Sequence, residues 1–262
     1  MNLESDTGAS ELLANLSIQT IVGLALILTI MRFLLLRIKS VSAEGKQEIN
    51  PGARAMAEIL ESLIIAGVLV FLIIRPFFLQ AFFIPSESME PTLMGHNADS
   101  RDLSGGHSDS IHDHIFVNKL IYRLTEPKHD DIIVFKAPAR ADRNGNPPKE
   151  NILIKRLIGI GPDKVEVKRG TTEKGESAYF VYVNDTKLNE PFIKEPLYDP
   201  QSGDAIFAVD HPLQLKPGEL FVMGDNRNNS NDSRYWGTLE RSRVIGKASV
   251  IFFPFNRMRV LH

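Results

Sequence analysis

The sequence predicts a mainly β protein that is anchored in a membrane by two N-terminal helices. Two observations support this fold class. Residues 18–36 and 57–75 are predominantly apolar. From residue 115 onward, short runs of β-branched and aromatic residues alternate with turn signals, and few of them have helical periodicity. We therefore expect a largely antiparallel β domain after the second apolar segment, with a small accessory β lobe at about residues 170–214.

Each apolar segment is long enough to cross a bilayer. Residues 18–36 would span about 28 Å as an α-helix, with Arg32 near one end, where its guanidinium can reach the headgroups. The loop at 37–56 has four basic residues against two acidic ones, so the positive-inside rule places it in the cytoplasm. We expect residues 1–17 to form an outer tail and 76–262 to form an extracytoplasmic domain.

Two alternatives exist for these segments. Val41-Ser42-Ala43 is similar to the small-residue cleavage site of a signal peptide, but the residues before the first segment lack positive charge, and Arg37 and Lys39 intervene. The segments could also be buried helices of a soluble protein. Two apolar segments joined by a short basic loop are hard to bury in a core of this size.

Composition excludes several kinds of site. The net charge is −2, from 30 basic and 32 acidic residues, so no overall field favours nucleic acid. No cysteine is present, which excludes disulfides, zinc–thiolate sites and cysteine nucleophiles. Residues 95–113 resemble an inserted, exposed loop, and the spacing of His96, His107, His112 and His114 matches no zinc pattern. We expect neither a metal nor another cofactor.

Two serines stand out directly after the second apolar segment and a short aromatic run. Ser86 and Ser88 lie between Pro85 and Pro91. Each proline fixes its own φ and favours extended backbone at the residue before it, so this segment can hold a hydroxyl in one direction. An ordinary loop is the alternative interpretation.

A serine hydroxyl becomes a good nucleophile only when a base takes its proton, and Lys155 is one candidate. It lies in the apolar run at residues 152–158, where a strand would place Leu153 and Leu157 on its face. Burial lowers the pKa of a lysine from about 10.4, and a pKa near 8 would cost about 3 kcal/mol. A lysine that extends to solvent from a strand edge is the alternative.

Histidine is the other candidate base. His129 lies beside Asp130 and Asp131, which would suit a Ser-His-Asp triad. Nothing in the sequence places these three residues in a recognisable catalytic motif, so lysine is the stronger candidate.

Three motifs occur in a fixed order along the chain: Ser-Glu-Ser-Met-Glu-Pro-Thr-Leu at residues 86–93, Lys-Arg within the apolar run at 152–159, and Gly-Asp-Asn-Arg-Asn-Asn-Ser-Asn-Asp-Ser-Arg-Tyr-Trp-Gly at 224–237. Together they resemble the bacterial type I signal peptidases. The resemblance extends from the first apolar segment almost to the C-terminus.

The resemblance implies a Ser-Lys catalytic dyad. Ser88 would be the nucleophile and Lys155 the general base. Ser86 would contribute its hydroxyl to an oxyanion hole, together with the backbone N–H of Ser88.

The same resemblance implies a supporting role for the third motif. Ser230 would orient the lysine, and Asp232 and Arg234 would brace the loop. Arg156 could join this charge network. Two departures from the family are Glu87, where many relatives have a small residue, and the insertion at residues 95–113.

The implied function is removal of signal peptides from exported preproteins after small residues, of the Ala-x-Ala type. The implied location is a multi-pass protein of the cytoplasmic (inner) membrane with its catalytic domain on the outer side. The expected partners are preproteins and membrane lipid, and no nucleic acid is expected to bind. The protein is expected to be a monomer that lies near the secretion translocon. Phe82, Ile84 and Leu153 are candidates for the substrate pockets. A Ser-Lys protease for a few dedicated precursors, or a catalytically silent binding protein, are the alternatives.

Overall fold

The computed structural model describes residues 18–41, 47–74, 77–98, 109–141, 152–198 and 211–261. The chain divides into two compact units, Met1–Leu79 and Gln80–His262. The predicted outer tail, His107 and most of the predicted insertion lie outside the described residues. The predicted domain boundaries therefore stay predictions.

The first unit contains two helices joined by a short antiparallel hairpin: α1 (Ile18–Leu35), β1 (Lys39–Val41), β2 (Gln47–Ile49) and α2 (Pro51–Val68), which continues as a π-helical turn over Leu69–Ile74. Asn50 caps α2, because its side chain accepts hydrogen bonds from the N–H groups of Gly52 and Ala53. The helices are joined by an ion pair of 2.8 Å between Arg32 and Glu61.

One helix of the described residues, Pro51–Ile74, is long and apolar enough to cross a membrane, with a mean hydropathy of 2.5 over its most apolar window. A second apolar helix, Gln19–Leu35, is shorter. The expected pair of spanning helices is therefore not confirmed. The longer helix also begins six residues before the predicted start, because Pro51 and the Asn50 cap favour a helix N-terminus there.

The second unit is mainly β, as predicted. Its larger sheet has eight strands: β3 (Leu79–Phe83), β6 (His114–Asn118), β7 (Ile132–Lys136), β8 (Ile152–Ile160), β13 (Glu219–Met223), β14 (Leu239–Glu240), β15 (Val244–Phe253) and β16 (Arg259–Val260). They are arranged in the order β14-β13-β8-β7-β15-β6-β3, with β16 paired to β15, and the pairings from β14 to β6 are antiparallel. Two short helices, α3 (Ile121–Leu124) and α4 (Ser233–Trp236), belong to this unit.

A smaller antiparallel sheet follows the order β11-β10-β9-β12. Its strands are β9 (Lys164–Thr171), β10 (Ser177–Val183), β11 (Thr186–Lys187) and β12 (Leu213–Gln214). Asn184 and Asp185 form the hairpin turn between β10 and β11, with positive φ angles of 50° and 64°, as a type I′ turn requires. A further two-stranded ladder pairs β4 (Gly95–His96) with β5 (Ile111–His112).

The larger sheet separates hydrophobic clusters that lie on its two faces. In β7, Ile132 and Val134 pack in one hydrophobic cluster, while Ile133 and Phe135 pack in another on the opposite face. Successive side chains of a strand point to opposite faces, so both faces of the larger sheet are covered at β7. This explains why its sequence is apolar throughout.

Candidate active site

Ser88 lies in a tight 3₁₀ turn, Glu87–Met89, that follows an extended residue, Ser86, with φ −135° and ψ 155°. Met89 and Leu93 are completely buried in the core on the next turns, so hydrophobic burial anchors the segment. The side chain of Ser88 is only slightly accessible, and its Oγ is 3.3 Å from the Oγ of Ser86. The segment therefore places the hydroxyls of Ser86 and Ser88 close together.

Lys155 reaches these hydroxyls from the middle of β8. It is 3% exposed, and its Nζ donates to the Oγ of Ser88 at 2.7 Å and to the carbonyl of Ile154 at 2.9 Å. Burial lowers the pKa of Lys155 to about 8, although the carboxylates of Asp232 and Asp225 raise it in part. Roughly a tenth of such a lysine is neutral at pH 7, which is the form that can accept a proton from serine.

These groups lie in the wall of an open cleft of about 430 Å³. The cleft is lined by Pro85, Ser86, Glu87, Ser88, Gly95, His96, Asn97, Leu153, Lys155, Asn229 and Asn231. Its volume suits a few residues of an extended peptide. A polar group of a peptide that enters the cleft can thus reach Ser88 and Lys155 directly.

Asp232 and Arg234 form a buried ion pair behind Lys155. Asp232 caps α4, and its carboxylate accepts two bonds of 2.8 Å from the guanidinium of Arg234 and one of 3.0 Å from the N–H of Gly224. Burial alone would raise the pKa of Asp232, but Arg234 and these hydrogen bonds outweigh it and lower the pKa. The pair ties both ends of the loop at residues 224–232 together.

A second buried pair lies on the other face of β8. Arg156 donates to both carboxylate oxygens of Asp225 at 2.8 and 2.7 Å, and to the carbonyl of Asp130 at 2.9 Å. Its guanidinium also covers the ring of Phe192, 3.9 Å from the centroid. The predicted link between Arg156 and the third motif is therefore made through Asp225.

Ser230 and Gly224 lie beside the dyad. A Cβ at Gly224 would be 2.3 Å from both the Oγ of Ser230 and the carbonyl oxygen of Ser88, so only glycine fits this close approach. Ser230 contributes to the low pKa of Asp232, but its buried Oγ has no partner of normal hydrogen-bond geometry among the described residues. No hydrogen bond joins Ser230 to Lys155 in this structure, and the lysine-orienting role of Ser230 stays a prediction.

Two asparagines that the sequence did not single out connect the loops around Ser88. The N–H of Asn226 donates to the carbonyl of Ser88 at 3.2 Å, and its side chain donates to the carbonyl of Glu87 at 3.3 Å. Asn229 donates to the carboxylate of Glu87 at 3.2 Å. The Asn-rich composition of the third motif was the available signal, but it does not indicate which carbonyls the amides meet.

The histidines within the described residues do not assemble a second site. His129 is about half exposed and pairs with Asp163 at 2.7 Å, while Asp131 accepts from Tyr122 and Lys247. His96 pairs with Glu90. No group of three or more potential metal ligands occurs within the described part of the chain.

Of the three predicted pocket residues, one lines the cleft and two pack in or against the core. Leu153 lines the cleft. Ile84 is 2% exposed and packs in the core with Met89 and Leu93, and Phe82 packs against the same cluster. Phe82 and Ile84 are not among the residues that line the cleft in this structure, so their assignment to the substrate pockets stays a prediction.

Comparisons with known proteins agree with the geometry. A family model described as signal peptidase, peptidase S26, matches residues 56–253. A probable signal peptidase I-2 from Synechocystis sp. is 32% identical over 222 residues, which cover 84% of each chain. Signal peptidase I from Leptolyngbya laminosa is 34% identical over 78% of this chain and 85% of the relative. Signal peptidase I from Mycobacterium tuberculosis is 30% identical over 84% and 80%. The chain belongs to the signal peptidase family, peptidase S26.

Proposed function

We propose that this chain is a signal peptidase I in which Ser88 is the nucleophile and Lys155 the general base. Membership of the family makes it a serine endopeptidase, and several relatives of 30–34% identity bear the name signal peptidase I. The observation that carries the assignment of roles is the hydrogen bond of 2.7 Å between the buried Nζ of Lys155 and the Oγ of Ser88.

The proposed reaction has two steps. Neutral Lys155 accepts the proton of Ser88 while the Oγ attacks the carbonyl carbon of the residue before the cut. The resulting ammonium of Lys155 then returns the proton to the nitrogen of the leaving chain, and an acyl-enzyme remains. Lys155 next accepts a proton from the water that attacks the ester, and it returns this proton to the Oγ of Ser88 as the ester bond breaks. The pKa of about 8 keeps part of the lysine neutral in the resting enzyme.

The oxyanion of each tetrahedral intermediate needs donors. We assign the backbone N–H of Ser88 and the hydroxyl of Ser86 to this role, supported by the 3.3 Å between the two Oγ atoms. A donor of this kind contributes about 3–4 kcal/mol to transition-state stabilisation. Ser230 would orient Lys155 when substrate excludes water, and the Asp232–Arg234 pair would hold Ser230 and Gly224 in place.

The substrates would be exported preproteins, cut after small residues of the Ala-x-Ala type. We also propose that α1 spans the membrane beside the longer helix, so that the chain is a multi-pass protein of the cytoplasmic membrane, with residues 76–262 outside. Exposed apolar side chains along α1, including Leu24, Ile27 and Ile30, support this topology, as does the basic loop between the helices.

The reaction is tested with full-length protein in detergent and a preprotein that has an Ala-x-Ala site. Wild type should cut after the second alanine, as shown by sequencing the new N-terminus. Ser88→Ala and Lys155→Ala should lose at least 10³-fold in kcat while they keep the circular dichroism of the wild type. Cleavage by Lys155→Ala at the wild-type rate would eliminate Lys155 as the base. If the wild type cuts only a few precursors from a panel, a dedicated processing protease is favoured. If it cuts none of them, a catalytically silent binding protein is favoured.

The topology is tested separately, since the natural chain contains no cysteine. Single cysteines at Ser42 and Ser177 are labelled in intact spheroplasts with a membrane-impermeant maleimide. Two spans require that Ser42→Cys is labelled only after lysis and that Ser177→Cys is labelled before it. Labelling of both before lysis would contradict the topology.

A further inference from the structure

The cleft wall has one charged side chain that the proposed mechanism does not use. Glu87 lies between Ser86 and Ser88 and lines the cleft, although 91% of its surface is covered. Its Oε2 accepts one hydrogen bond, from the side chain of Asn229 at 3.2 Å. Within the described residues no lysine or arginine forms an ion pair with it, and its Oε1 has no hydrogen-bond partner.

Such a carboxylate is normally paired, because a largely buried charge without a counter-ion is costly. Among the residues that line the cleft, only Glu87, Lys155 and His96 can be charged. His96 is bonded to Glu90 behind the wall. When Lys155 is neutral, which is its reactive form, Glu87 gives the cleft a negative charge. The reactive enzyme therefore favours a cation in this position.

The position of Glu87 relative to the cut follows from its neighbours. A carbonyl attacked by Ser88 and held by Ser86 has the flanking residues of the substrate next to Glu87. The apolar part of the cleft wall consists of Pro85 and Leu153, which suits the small residues before the cut. Asn229 and Asn231 form a polar part together with Glu87, and this part suits the chain that follows the cut.

We propose that the carboxylate of Glu87 is a specificity-determining group that selects substrates with a lysine or arginine directly after the cut. This inference rests on the proposed function. A charge pair in a partly screened cleft raises kcat/KM for such a substrate about tenfold over a neutral one. The preference should shrink when salt screens the pair.

The test uses three synthetic peptides that share one Ala-x-Ala site and differ only in the residue after it, which is Lys, Gln or Glu. Full-length protein in detergent is assayed at pH 8.5 and low salt, and kcat/KM is measured for each peptide. Wild type should cut the Lys peptide about ten times faster than the Gln peptide, and the Glu peptide slowest. In Glu87→Gln the Lys-to-Gln ratio should fall to about one.

The ratio separates specificity from a merely structural role, because loss of the bond to Asn229 would slow all three peptides alike. Glu173→Gln is the matched control, since it removes the same charge from an exposed turn between β9 and β10. It should keep the wild-type ratio. Raising NaCl from 0.05 to 0.5 M should lower that ratio in wild type and leave Glu87→Gln unchanged.

The outcomes distinguish this inference from the function on which it rests. A wild-type ratio near one, or an unchanged ratio in Glu87→Gln, would overturn the inference alone, provided that the Gln peptide is cut and Ser88→Ala does not cut it. If wild type cuts none of the three peptides, or Ser88→Ala cuts them equally well, the proposed function and the inference both fail.

Discussion

Replacement of Lys155 by methionine should abolish activity and yet stabilise the fold. Burial lowers the pKa of Lys155 from 10.5 to about 8, which corresponds to about 3 kcal/mol of destabilisation at pH 7, where the lysine is charged in both states. The substitution also removes two hydrogen bonds, to Ser88 and Ile154, each worth about 1 kcal/mol. The net expectation is a gain of about 1–2 kcal/mol in the free energy of unfolding.

The pH dependence of this gain has a definite sign. Between pH 8 and 10.5 the unfolded chain holds more protons at this site than the folded chain, so the wild type gains stability as pH rises through this window. The advantage of Lys155→Met should therefore shrink above pH 8, vanish at about pH 9–9.5 and reverse by pH 10.5, where only the loss of the two hydrogen bonds remains. The difference in stability between the variant and the wild type is measured by thermal unfolding of the full-length protein in detergent. The melting temperature is expected to shift by about 2–4 °C per kcal/mol. A methionine variant that melts below the wild type at pH 7, or an advantage that does not change with pH, would refute the reasoning.

Three further predictions concern the reaction. With Lys155 as the proposed neutral base, kcat/KM should fall about tenfold per pH unit below its pKa of about 8; a midpoint near 6.5 would indicate a histidine instead. Ser86→Ala should lower kcat by about 10²–10³ with little change in KM, measured by steady-state cleavage; an unaffected kcat would remove Ser86 from the oxyanion hole. Gly224→Ala would place a Cβ 2.3 Å from the carbonyl of Ser88, so a loss of about 1–3 kcal/mol in stability and a lower kcat are expected, checked by thermal unfolding and kinetics.

Much of the second unit could be predicted from local pattern. Strands β7, β8 and β13 were expected from their apolar runs, and each is buried along most of its length. The Asn184-Asp185 turn was predictable because those residue types tolerate positive φ. Local pattern was insufficient for β3. Its alternating exposure places Phe82 toward the core, and the sequence alone does not indicate which face of an aromatic strand packs inward.

The dyad is a different case, because its members are 67 residues apart in sequence. No periodicity relates Ser88 to Lys155, and their pairing was predicted through the family resemblance. The contact of Asn226 with the carbonyl of Glu87 joins residues 139 apart. It had no local signal, because a loop asparagine can donate to many carbonyls. Long-range contacts of this kind hold the serine turn in place, and only the folded chain identifies them.

The arrangement of charges around Lys155 explains how a buried lysine can stay reactive. Asp225 and Asp232 both raise its pKa, and unpaired they would hold the lysine charged and inactive as a base. Each is instead bound by its own arginine: Asp225 by Arg156, and Asp232 by Arg234. The guanidinium of Arg234 also lowers the pKa of Lys155 directly. Desolvation is the largest effect, so the pKa of Lys155 is lowered overall. By binding these carboxylates, Arg156 and Arg234 would support the proposed role of Lys155 as a base without contact with the substrate.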